Sequence, residues 1–422
     1  MTTAPKYPSP HQSVQWPNMR HLRLLEIAVG QGSLTQAARA VHISQPAASQ
    51  AVAKLSQLFD APLLERVGNA CMATEEGKIV TRRARRALEH LHDPALLTKG
   101  RGNRVAGNVL ERYASTTQLR ALSGFALTGN FAATARLLGQ TEASIQRACK
   151  DMERIIGQAV LEGGQRNRVL TKAGQAAAAR ASLALREVEL AHAELRERAG
   201  VFDSRLVVGA LPLARTRIVP RAVVRLMAKY PSAMIEILDG SYELLAQRLR
   251  FGTCDLIIGA LREDPHERVL RERRLMTDAL HVVARAGHPL AGRAISGPEL
   301  AQFPWILPRK DAPARRVFEA LAARFGVQCS GRGHVETGSL VVLRGILMES
   351  DALTLISPSQ VQYETEQGLL VPLQIVLESS HRNIGITELQ GSLPSRLYAD
   401  FVEFLAEAAA ETDGALDNVL QG

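Results

Sequence analysis

Apolar residues near the start of the chain recur every three or four positions, which is the spacing of an amphipathic helix. Leu22, Leu25 and Val29 predict a first helix on this pattern, and Gly32 predicts where it ends. Ser33 is suited to cap a second helix, LTQAARAV, whose apolar residues again share one face. The pattern therefore predicts two short helices in close succession.

A third helix and a hairpin are predicted next. Ser44 is suited to cap the helix QPAASQAVAKLSQLF, and Pro46 lies in its first turn, where a missing N–H costs nothing. The following stretch, APLLERVGNACMATEEG, predicts two short strands with a hairpin tip at Gly68-Asn69. This order of elements is typical of a winged helix-turn-helix domain, which we place at residues 18–92.

The same pattern occurs a second time, 97 residues further along the chain. The segment HLRLLEIAVGQGSLTQAARAVHIS (21–44) aligns without gaps with QLRALSGFALTGNFAATARLLGQT (118–141). Identical residues at this offset include the pairs Leu22 and Leu119, Gly32 and Gly129, Ala38 and Ala135, Leu64 and Leu161, and Thr74 and Thr171. Two copies of one small domain are the simplest explanation. We place the second copy at 116–174, after a connector at 93–115.

A long helix is predicted after the second copy. Residues 173–199 contain no helix breaker, and they carry an apolar stripe between charged faces. The stripe consists of Leu183, Val188, Leu190 and Leu195. A helix of this length needs a partner surface, and we interpret residues 175–200 as a linker helix.

From Arg205 onward, short apolar runs alternate with helical patterns. The predicted strands are 205–210, 234–238, 255–261, 279–284, 304–307 and 352–356, and the predicted helices include 216–229, 242–251, 312–325 and 339–349. This alternation predicts an α/β domain with a mainly parallel sheet at residues 204–410. Ligands of such sheets bind at the carboxyl ends of strands, beside helix N-termini.

Composition adds that the chain is globular and that its charge is uneven. The 422 residues are 46% hydrophobic and 22% charged, which excludes a largely disordered chain. The net charge of +9 divides into +7 for residues 1–115, +4 for 116–200 and −2 for 201–422. A basic half joined to a neutral half indicates a nucleic-acid binder attached to a second module, although a solvated basic surface would give the same balance.

The sequence lacks the motifs that mark several classes of enzyme. The sequence contains no GxSxG, GxxxxGK or HExxH motif, so we predict a protein that is not an enzyme and that has no cofactor or metal site. Four scattered cysteines, the lack of any apolar run of about 18 residues and a start without an apolar segment predict a cytoplasmic protein with no membrane partner.

The motifs of the first copy resemble the LysR-type family of bacterial transcriptional regulators. The resemblance is carried by Ala37-Ala38, by SQPAAS at 44–49, by Leu55 and by PLLER at 62–66. Departures from the family pattern stand at Ser56, Asn69, Ala73 and Glu76. The duplication is also unusual, because ordinary members carry one such domain.

This resemblance implies a multidomain fold of two all-α winged helix-turn-helix domains and a two-lobed α/β effector domain of the type-2 periplasmic-binding-protein fold. The third helix of the first copy is expected to read double-stranded DNA, since small and polar side chains at its start allow close approach and hydrogen bonding. The DNA-binding candidates in this copy are Ser33, Thr35, Ser44, Gln45, Pro46, Ala47, Ser49, Gln50, Lys54 and Arg66.

The second copy departs from the first in its third helix. This helix, TEASIQRACKDMERII, lacks the SQP start and places Glu142 where phosphate oxygens would approach. The wing that follows, EGGQRNRVLTKAG, retains the basic pair Arg166 and Arg168, which are further DNA-binding candidates. Two hypotheses remain open: the second copy assists by phosphate or minor-groove contact, or it is a spacer without DNA contact.

The resemblance places lobe I of the effector domain at about 204–281 and 372–410 and lobe II at about 282–371, with crossover strands near 280–285 and 370–376. Three loops at strand ends are candidates for the effector site. Their residues are Ala210, Leu211 and Leu213, then Pro308 and Arg309, and then Thr337, Gly338 and Ser339. Hydroxyl and backbone N–H groups of the last loop would hold a carboxylate, whereas each residue alone is equally an ordinary helix cap.

The expected partners are promoter DNA, a small-molecule effector such as a sugar or small organic acid, RNA polymerase, and further copies of the chain. The resemblance implies that a homodimer or homotetramer forms through the linker helix. The alternative is a solute-binding or redox-sensing protein, with Cys254 and Cys329 as sensors, in which the helix-turn-helix repeat serves mainly protein interaction.

Overall fold

The computed structural model describes residues 14–68, 70–92, 109–164, 167–262, 269–310, 312–327, 333–377 and 380–420. They form two compact units, one up to Asp203 together with Arg250–Gly252, and one from Ser204 onward. These are the N-terminal unit and the C-terminal unit.

The N-terminal unit begins with three helices, a two-stranded sheet and a longer helix. The elements are α1 (Met19–Gln31), α2 (Leu34–Ala40), α3 (Gln45–Leu58), β1 (Leu64–Val67), β2 (Ala70–Ala73) and α4 (Glu75–Leu91). Gly32 ends α1 in the left-handed conformation, at φ 63°. The side chains of Ser33, Ser44 and Thr74 cap α2, α3 and α4 by accepting backbone hydrogen bonds.

The same order of elements returns after the short helix α5 (Val109–Tyr113). The elements are α6 (Thr116–Thr128), α7 (Phe131–Leu138), α8 (Glu142–Ile156), β3 (Leu161–Glu162), β4 (Val169–Leu170) and α9 (Lys172–Arg198). Each of the four helices α6 to α9 begins 97 residues after its counterpart. The strand register is also equivalent, since Leu161 lies opposite Leu170 as Leu64 lies opposite Ala73.

One apolar core runs through both halves of the N-terminal unit. It contains Leu22 and Leu25 of α1, Leu119 and Leu122 at the equivalent positions of α6, and buried residues of α4 and α9. Full burial of a leucine side chain stabilises a fold by about 1.5–3 kcal/mol. The two halves are therefore held together by shared apolar burial.

The C-terminal unit has two lobes. Lobe I contains β5 (Arg205–Ala210), α10 (Ile218–Lys229), β6 (Met234–Leu238), α11 (Tyr242–Arg250), β7 (Leu256–Ala260), β8 (Leu270–Ala279), β14 (His381–Leu389) and α15 (Arg396–Leu420). Lobe II contains β9 (His281–Arg285), β10 (Trp305–Leu307), α12 (Pro313–Phe325), β11 (Val335–Glu336), α13 (Leu340–Glu349), β12 (Leu353–Ile356), α14 (Gln362–Glu366) and β13 (Leu370–Pro372).

Each lobe is built on one five-stranded sheet. The strand order is β6-β5-β7-β14-β8 in lobe I and β11-β10-β12-β9-β13 in lobe II. The chain leaves lobe I between β8 and β9 and returns between β13 and β14. The described part of the return connection after β13 is residues 373–377, which overlaps the expected crossover at 370–376.

In each sheet four of the five strands run in the same direction, so the sheets are mainly parallel. The one antiparallel strand is β14 in lobe I, between β7 and β8, and β9 in lobe II, between β12 and β13. The strand β8 escaped prediction because its sequence, LRERRLMTDA, carries too many charges for an apolar run. The N-terminal unit is not all-α, which corrects the expected fold class, since it contains two two-stranded sheets.

Across the part of the chain that the structure describes, every helix is too short or too polar to cross a membrane.

Candidate functional site

The start of α3 presents a polar face to solvent. The Ser44 hydroxyl accepts a hydrogen bond from the Ala47 N–H at 3.4 Å and fixes the first turn. Ala48, Ala51 and Leu55 are buried on the opposite side of the helix. The predicted residues that α3 and its cap expose are Ser44, Gln45, Pro46, Ser49, Gln50 and Lys54, with Ala47 half-buried between them. The structure therefore brings these candidates onto one surface.

The remaining candidates of the first copy lie on neighbouring elements. Ser33 is half-buried and caps α2 by accepting from the Gln36 N–H at 3.3 Å, while Thr35 is exposed in the first turn of that helix. Arg66 is exposed on β1. The hairpin is fixed to the end of α1, because the Cys71 N–H donates to the Gly32 carbonyl at 2.8 Å. The wing is thus held by the backbone beside α1.

One titratable group adjoins this polar face. Burial, and then the positive charge of Lys54, lower the pKa of the His21 imidazole on α1. His21 is therefore neutral at pH 7 and adds no positive charge beside Lys54.

The equivalent face of α8 has different chemistry. Thr141 caps the helix, and Glu142 is exposed in the first turn, where the Gln146 amide donates to its carboxylate at 3.3 Å. Arg147 and Lys150 are exposed on the same helix, and both were missed by the sequence analysis. They could have been found from the repeat, because they stand 97 residues after Gln50 and Ala53 of α3.

The wing of the second half is described only in part. Arg168 is exposed just before β4, whereas Arg166 lies outside the described residues. The strands around it are positioned as in the first copy: the Thr171 hydroxyl donates to the Ala159 carbonyl at 2.7 Å, as the Thr74 hydroxyl donates to Pro62 at 2.5 Å. A basic residue of this wing is therefore available at the surface.

Two of the three predicted effector loops meet in lobe II. The Thr337 N–H donates to the Leu307 carbonyl at 3.3 Å, which joins the ends of β10 and β11. Gly338 leaves room for Arg309, because a Cβ at Gly338 would lie 2.6 Å from Arg309 Cδ. The Ser339 hydroxyl caps α13 by accepting from the Val342 N–H. Pro308 is half-buried beside this loop.

The first loop lies in lobe I, and its side chains are less accessible than the sequence suggested. Ala210 and Leu213 are buried, so their side chains pack in the core instead of lining a surface. Leu211 packs on Gly259, where a Cβ would lie 2.5 Å from the leucine Cβ. This loop can therefore present backbone groups and part of Leu211 to a ligand.

A buried polar cluster joins the crossover strands, and the sequence analysis missed it. The Asp278 carboxylate is completely buried, accepts from Ser357 at 2.5 Å and is paired with Arg382 at 2.8 Å. Asp278 and Arg382 lie on β8 and β14 of lobe I, and Ser357 follows β12 of lobe II. Because a buried charge needs its partners, this cluster ties the two lobes at the hinge. Long sequence separation conceals such a cluster from pattern analysis.

The structure describes one of the two cysteines that were considered as redox sensors. Cys254 is buried, and its burial raises the pKa of the thiol to about 12, which disfavours the reactive thiolate. Cys329 lies outside the described residues. Within the described ranges, no group of three or more His, Cys, Asp or Glu side chains is placed to hold a metal ion.

Two family models match the chain. One, described as a bacterial regulatory helix-turn-helix protein of the LysR family, matches residues 19–78. The other, described as a LysR substrate binding domain, matches residues 199–410. The segment between these matches contains α5 to α9.

Curated relatives are transcriptional regulators. The chain is 30% identical over 383 residues to the HTH-type transcriptional regulator GalR of Pseudomonas putida, an alignment that covers 90% of this chain and 95% of that one. It is 25% identical to the regulator PcaQ of Agrobacterium fabrum, over 66% of this chain and 89% of the relative. Because the first alignment covers 90% of this chain, it includes most of the segment between the two family matches.

Solved structures share the fold. A full-length OxyR variant from Pseudomonas aeruginosa matches with a TM-score of 0.53 and 20% identity, over 70% of this chain and 94% of that one. The full-length regulator LysG from Corynebacterium glutamicum, with bound effector Arg, matches with a TM-score of 0.50 and 16% identity, over 70% and 98%. Nearly all of each solved chain thus finds a counterpart in about seven-tenths of this one.

Proposed function

The chain belongs to the LysR family of bacterial transcriptional regulators, which combine a helix-turn-helix with an effector-binding domain, and from this premise we propose which residues carry each task. The first copy reads promoter DNA through α3. The single observation that supports this most is the polar face of Gln45, Ser49 and Gln50, exposed on a helix whose other side is buried. Amide and hydroxyl groups at the start of such a helix suit base edges in the major groove.

The experiment for this proposal is selection of bound sequences from a pool of random duplexes by the full chain. We expect an enriched sequence, and we expect Ser49→Ala to weaken binding to it more than binding to random duplex. Gln57→Ala is the matched control, because Gln57 is exposed at the far end of α3. Failure to enrich any sequence, or equal loss in both variants, would contradict the assignment.

We also propose that residues 116–174 are a second winged helix-turn-helix copy. The offset of 97 residues, the equivalent caps and the equivalent sheet register support it. A further support is Gly174, whose Cβ would lie 2.1 Å from the Val160 carbonyl oxygen, just as a Cβ at Gly77 would lie 1.9 Å from that of Leu63. Two unrelated segments have no reason to share this close approach.

The second copy, in this proposal, contacts phosphates without reading bases. Exposed Arg168 on the wing and exposed Arg147 and Lys150 on α8 support phosphate contact. Glu142 at the start of α8 opposes the approach of a phosphate there. Arg166 is included as the second basic residue of the wing on the strength of its sequence position.

The C-terminal unit is proposed to hold a small anionic or polar effector at the lobe II loops. The N-terminus of α13, with Thr337, Ser339 and the neighbouring Arg309, supports a carboxylate ligand. That the LysG structure holds an effector amino acid supports a small-molecule site in this fold. A thermal-shift screen of sugars and small acids tests it: Thr337→Ala should abolish the shift given by the best compound and leave DNA binding intact. A normal shift would place the site elsewhere.

Members of the LysR family are oligomeric, and for this chain we propose contact between C-terminal units. Exposed apolar side chains support it on α10, at Val224 and Met227, and on α13, at Val341 and Val342. Light scattering should show a smaller particle for Val224→Asp plus Val341→Asp than for the wild type. Contact with RNA polymerase is proposed from the family function alone.

A further inference from the structure

The two long helices of the N-terminal unit, α4 and α9, pack against each other in opposite directions. Glu76 near the start of α4 pairs with Arg198 at the end of α9, at 2.8 Å. Further along α4, Arg83 pairs with Glu187 at 2.8 Å and also with Glu194. The start of α4 thus lies beside the end of α9, and later residues of α4 lie beside earlier residues of α9. The helices are antiparallel.

Both helices use equivalent faces for this contact. The buried residues are Val80, Ala84, Ala87 and Leu91 of α4, and Ala177, Ala181, Ala184 and Val188 of α9. Each residue of the second set stands 97 positions after its counterpart, and all eight belong to one apolar cluster. Two equivalent helices that pack antiparallel through equivalent faces are related by a local two-fold axis. That is the geometry of an isologous dimer contact.

The segments that precede the two copies exchange contacts in the same reciprocal way. The segment before α1 contacts α6: the Thr116 hydroxyl donates to the Pro17 carbonyl at 2.6 Å. The segment before α6 contacts α1: Glu111 of α5 pairs with Arg23. Such reciprocal exchange is expected of two subunits related by a two-fold axis. Here it occurs within one chain.

The ion pairs between the helices are set in the core of this contact. The Arg83 side chain is completely buried between two carboxylates of α9, those of Glu187 and Glu194. Burial alone would raise the pKa of Glu187, but hydrogen bonds and charge from His90 and Arg83 bring it below its ordinary value. Reversal of one partner leaves like charges buried together, which is strongly destabilising.

We infer that the two winged units of one chain pair with each other in cis, and that a single subunit thereby presents a reading unit and a non-reading unit side by side to DNA. This inference rests on the proposed second copy. The face of α9 that carries Ala184 and Val188, the latter part of the predicted stripe, packs on α4 of the same chain. Of the predicted stripe on α9, Val188 is buried and Leu183, Leu190 and Leu195 are half-buried. A further subunit must therefore join without the face of α9 that packs on α4.

Charge reversal in the full chain tests the inference. Arg83→Glu, and separately Glu187→Arg plus Glu194→Arg, should each lower the melting temperature of the N-terminal unit by about 10 °C. All three changes in one chain should restore most of this loss. Lys78→Glu is the control, because Lys78 is exposed on α4 and pairs only with Glu75 of its own helix among the described residues.

Co-expression of the two defective chains, with different tags, separates pairing in cis from pairing in trans. Pairing in cis predicts no rescue in the mixture, because each chain still pairs its own mismatched helices. Recovery of the wild-type melting temperature in the mixture would overturn the inference, as would failure of the triple variant to improve on the others.

Hydrogen exchange of the wild-type protein keeps the inference testable if the variants do not fold. Amides of α4 and α9 should keep their protection on dilution below the concentration at which subunits separate, and disappearance of that protection would overturn pairing in cis. None of these measurements uses DNA. A protein that passes them and still selects no DNA sequence contradicts the proposed function and leaves the pairing standing.

Discussion

The two halves of the N-terminal unit, which we propose to be two winged units, share a scaffold and differ on the surface that would face DNA. In both, a capped helix packs one side into the core, with Ala48 and Leu55 buried in α3 and Ile145 and Met152 buried at the equivalent positions of α8. The exposed sides have little in common. Glutamine and serine at the start of α3 are replaced by Glu142 and Gln146 in α8. Burial preserves the helix, whereas the chemistry of its exposed side sets its task.

Backbone contacts belong to the scaffold that the two halves share. The Thr74 and Thr171 hydroxyls cap the two long helices through Gly77 and Gly174, and each glycine lies against the carbonyl of the residue that precedes the hairpin. These contacts fix where the wing lies relative to the helix after it. The second unit keeps these contacts, which indicates that it still has a task, either at DNA or as a support for the first unit.

The largest effect is expected from a change in this shared scaffold. Gly77→Ala and Gly174→Ala each force a Cβ against a backbone oxygen, at 1.9 and 2.1 Å, and each should lower the free energy of unfolding by about 2–3 kcal/mol. Denaturant titration measures it. Gly30→Ala is the control, because nothing lies within 4 Å of its Cβ, and it should be neutral or slightly stabilising. A tolerated Gly174→Ala would show that the second unit is not built like the first.

The next effect separates the two exposed faces. Gln45→Ala or Ser49→Ala should weaken binding to the selected duplex by about 1–3 kcal/mol, with little change on random duplex, because these side chains reach base edges. Gln146→Ala, at the position equivalent to Ser49, should change neither. Fluorescence anisotropy with both duplexes measures the difference. An equal weakening of specific binding by Gln146→Ala would make the second unit a reader as well.

A smaller effect is expected at the wing of the second unit. Arg166→Ala plus Arg168→Ala should reduce affinity for any duplex, and the slope of log K against log salt should fall by roughly one for each phosphate that the variant no longer neutralises. Binding titrations over a range of salt concentrations measure the slope. Arg324→Ala, a change on α12 of the C-terminal unit, controls for the removal of positive charge. An unchanged slope would favour the second unit as a spacer.

The smallest effect concerns His21, whose counterpart in the second unit is Gln118. The pKa of His21 is lowered in the folded protein, so the unfolded chain binds a proton first as the pH falls below about 6.5. Stability is therefore lost as the pH falls through this window, until the folded-state pKa is reached. His21→Gln should flatten that loss in melting curves between pH 7 and pH 5. Parallel curves for the two proteins would contradict the assignment.

Local patterns in the sequence predicted the helices and caps well, and long-range pairing was beyond them. Ser33 and Ser44 cap helix starts and Gly32 ends a helix, and each acts only on neighbouring residues. The offset of 97 residues then located α6 to α9. The charged strand β8 depends on its pairing with β14, which begins more than 100 residues later. The apolar stripe predicted on α9 shares only Val188 with the buried set Ala177, Ala181, Ala184 and Val188, and the pairing of this helix with α4 lies beyond local patterns.

The candidate sites follow the same rule. The polar face of α3 was predictable because helical spacing places its residues together. Ala210 and Leu213 were misjudged, since residues at a strand end can turn either to the ligand or to the core. The Asp278 cluster joins residues from three distant parts of the chain, and no local pattern marks it.

We propose above all that one chain carries two winged units of which only the first reads sequence. Selection from random duplexes is the sharpest test, with the wild type beside a chain that carries Glu142→Gln, Ala143→Pro, Gln146→Ser and Arg147→Gln. These four changes give the start of α8 the residues that α3 exposes at the equivalent positions. For the wild type we expect one short DNA sequence to be selected per chain. The bases one helical turn to the side, about 10 base pairs away, should show no preference. The substituted chain should specify a second element there. Two equal elements about one turn apart for each wild-type chain would contradict this division of tasks.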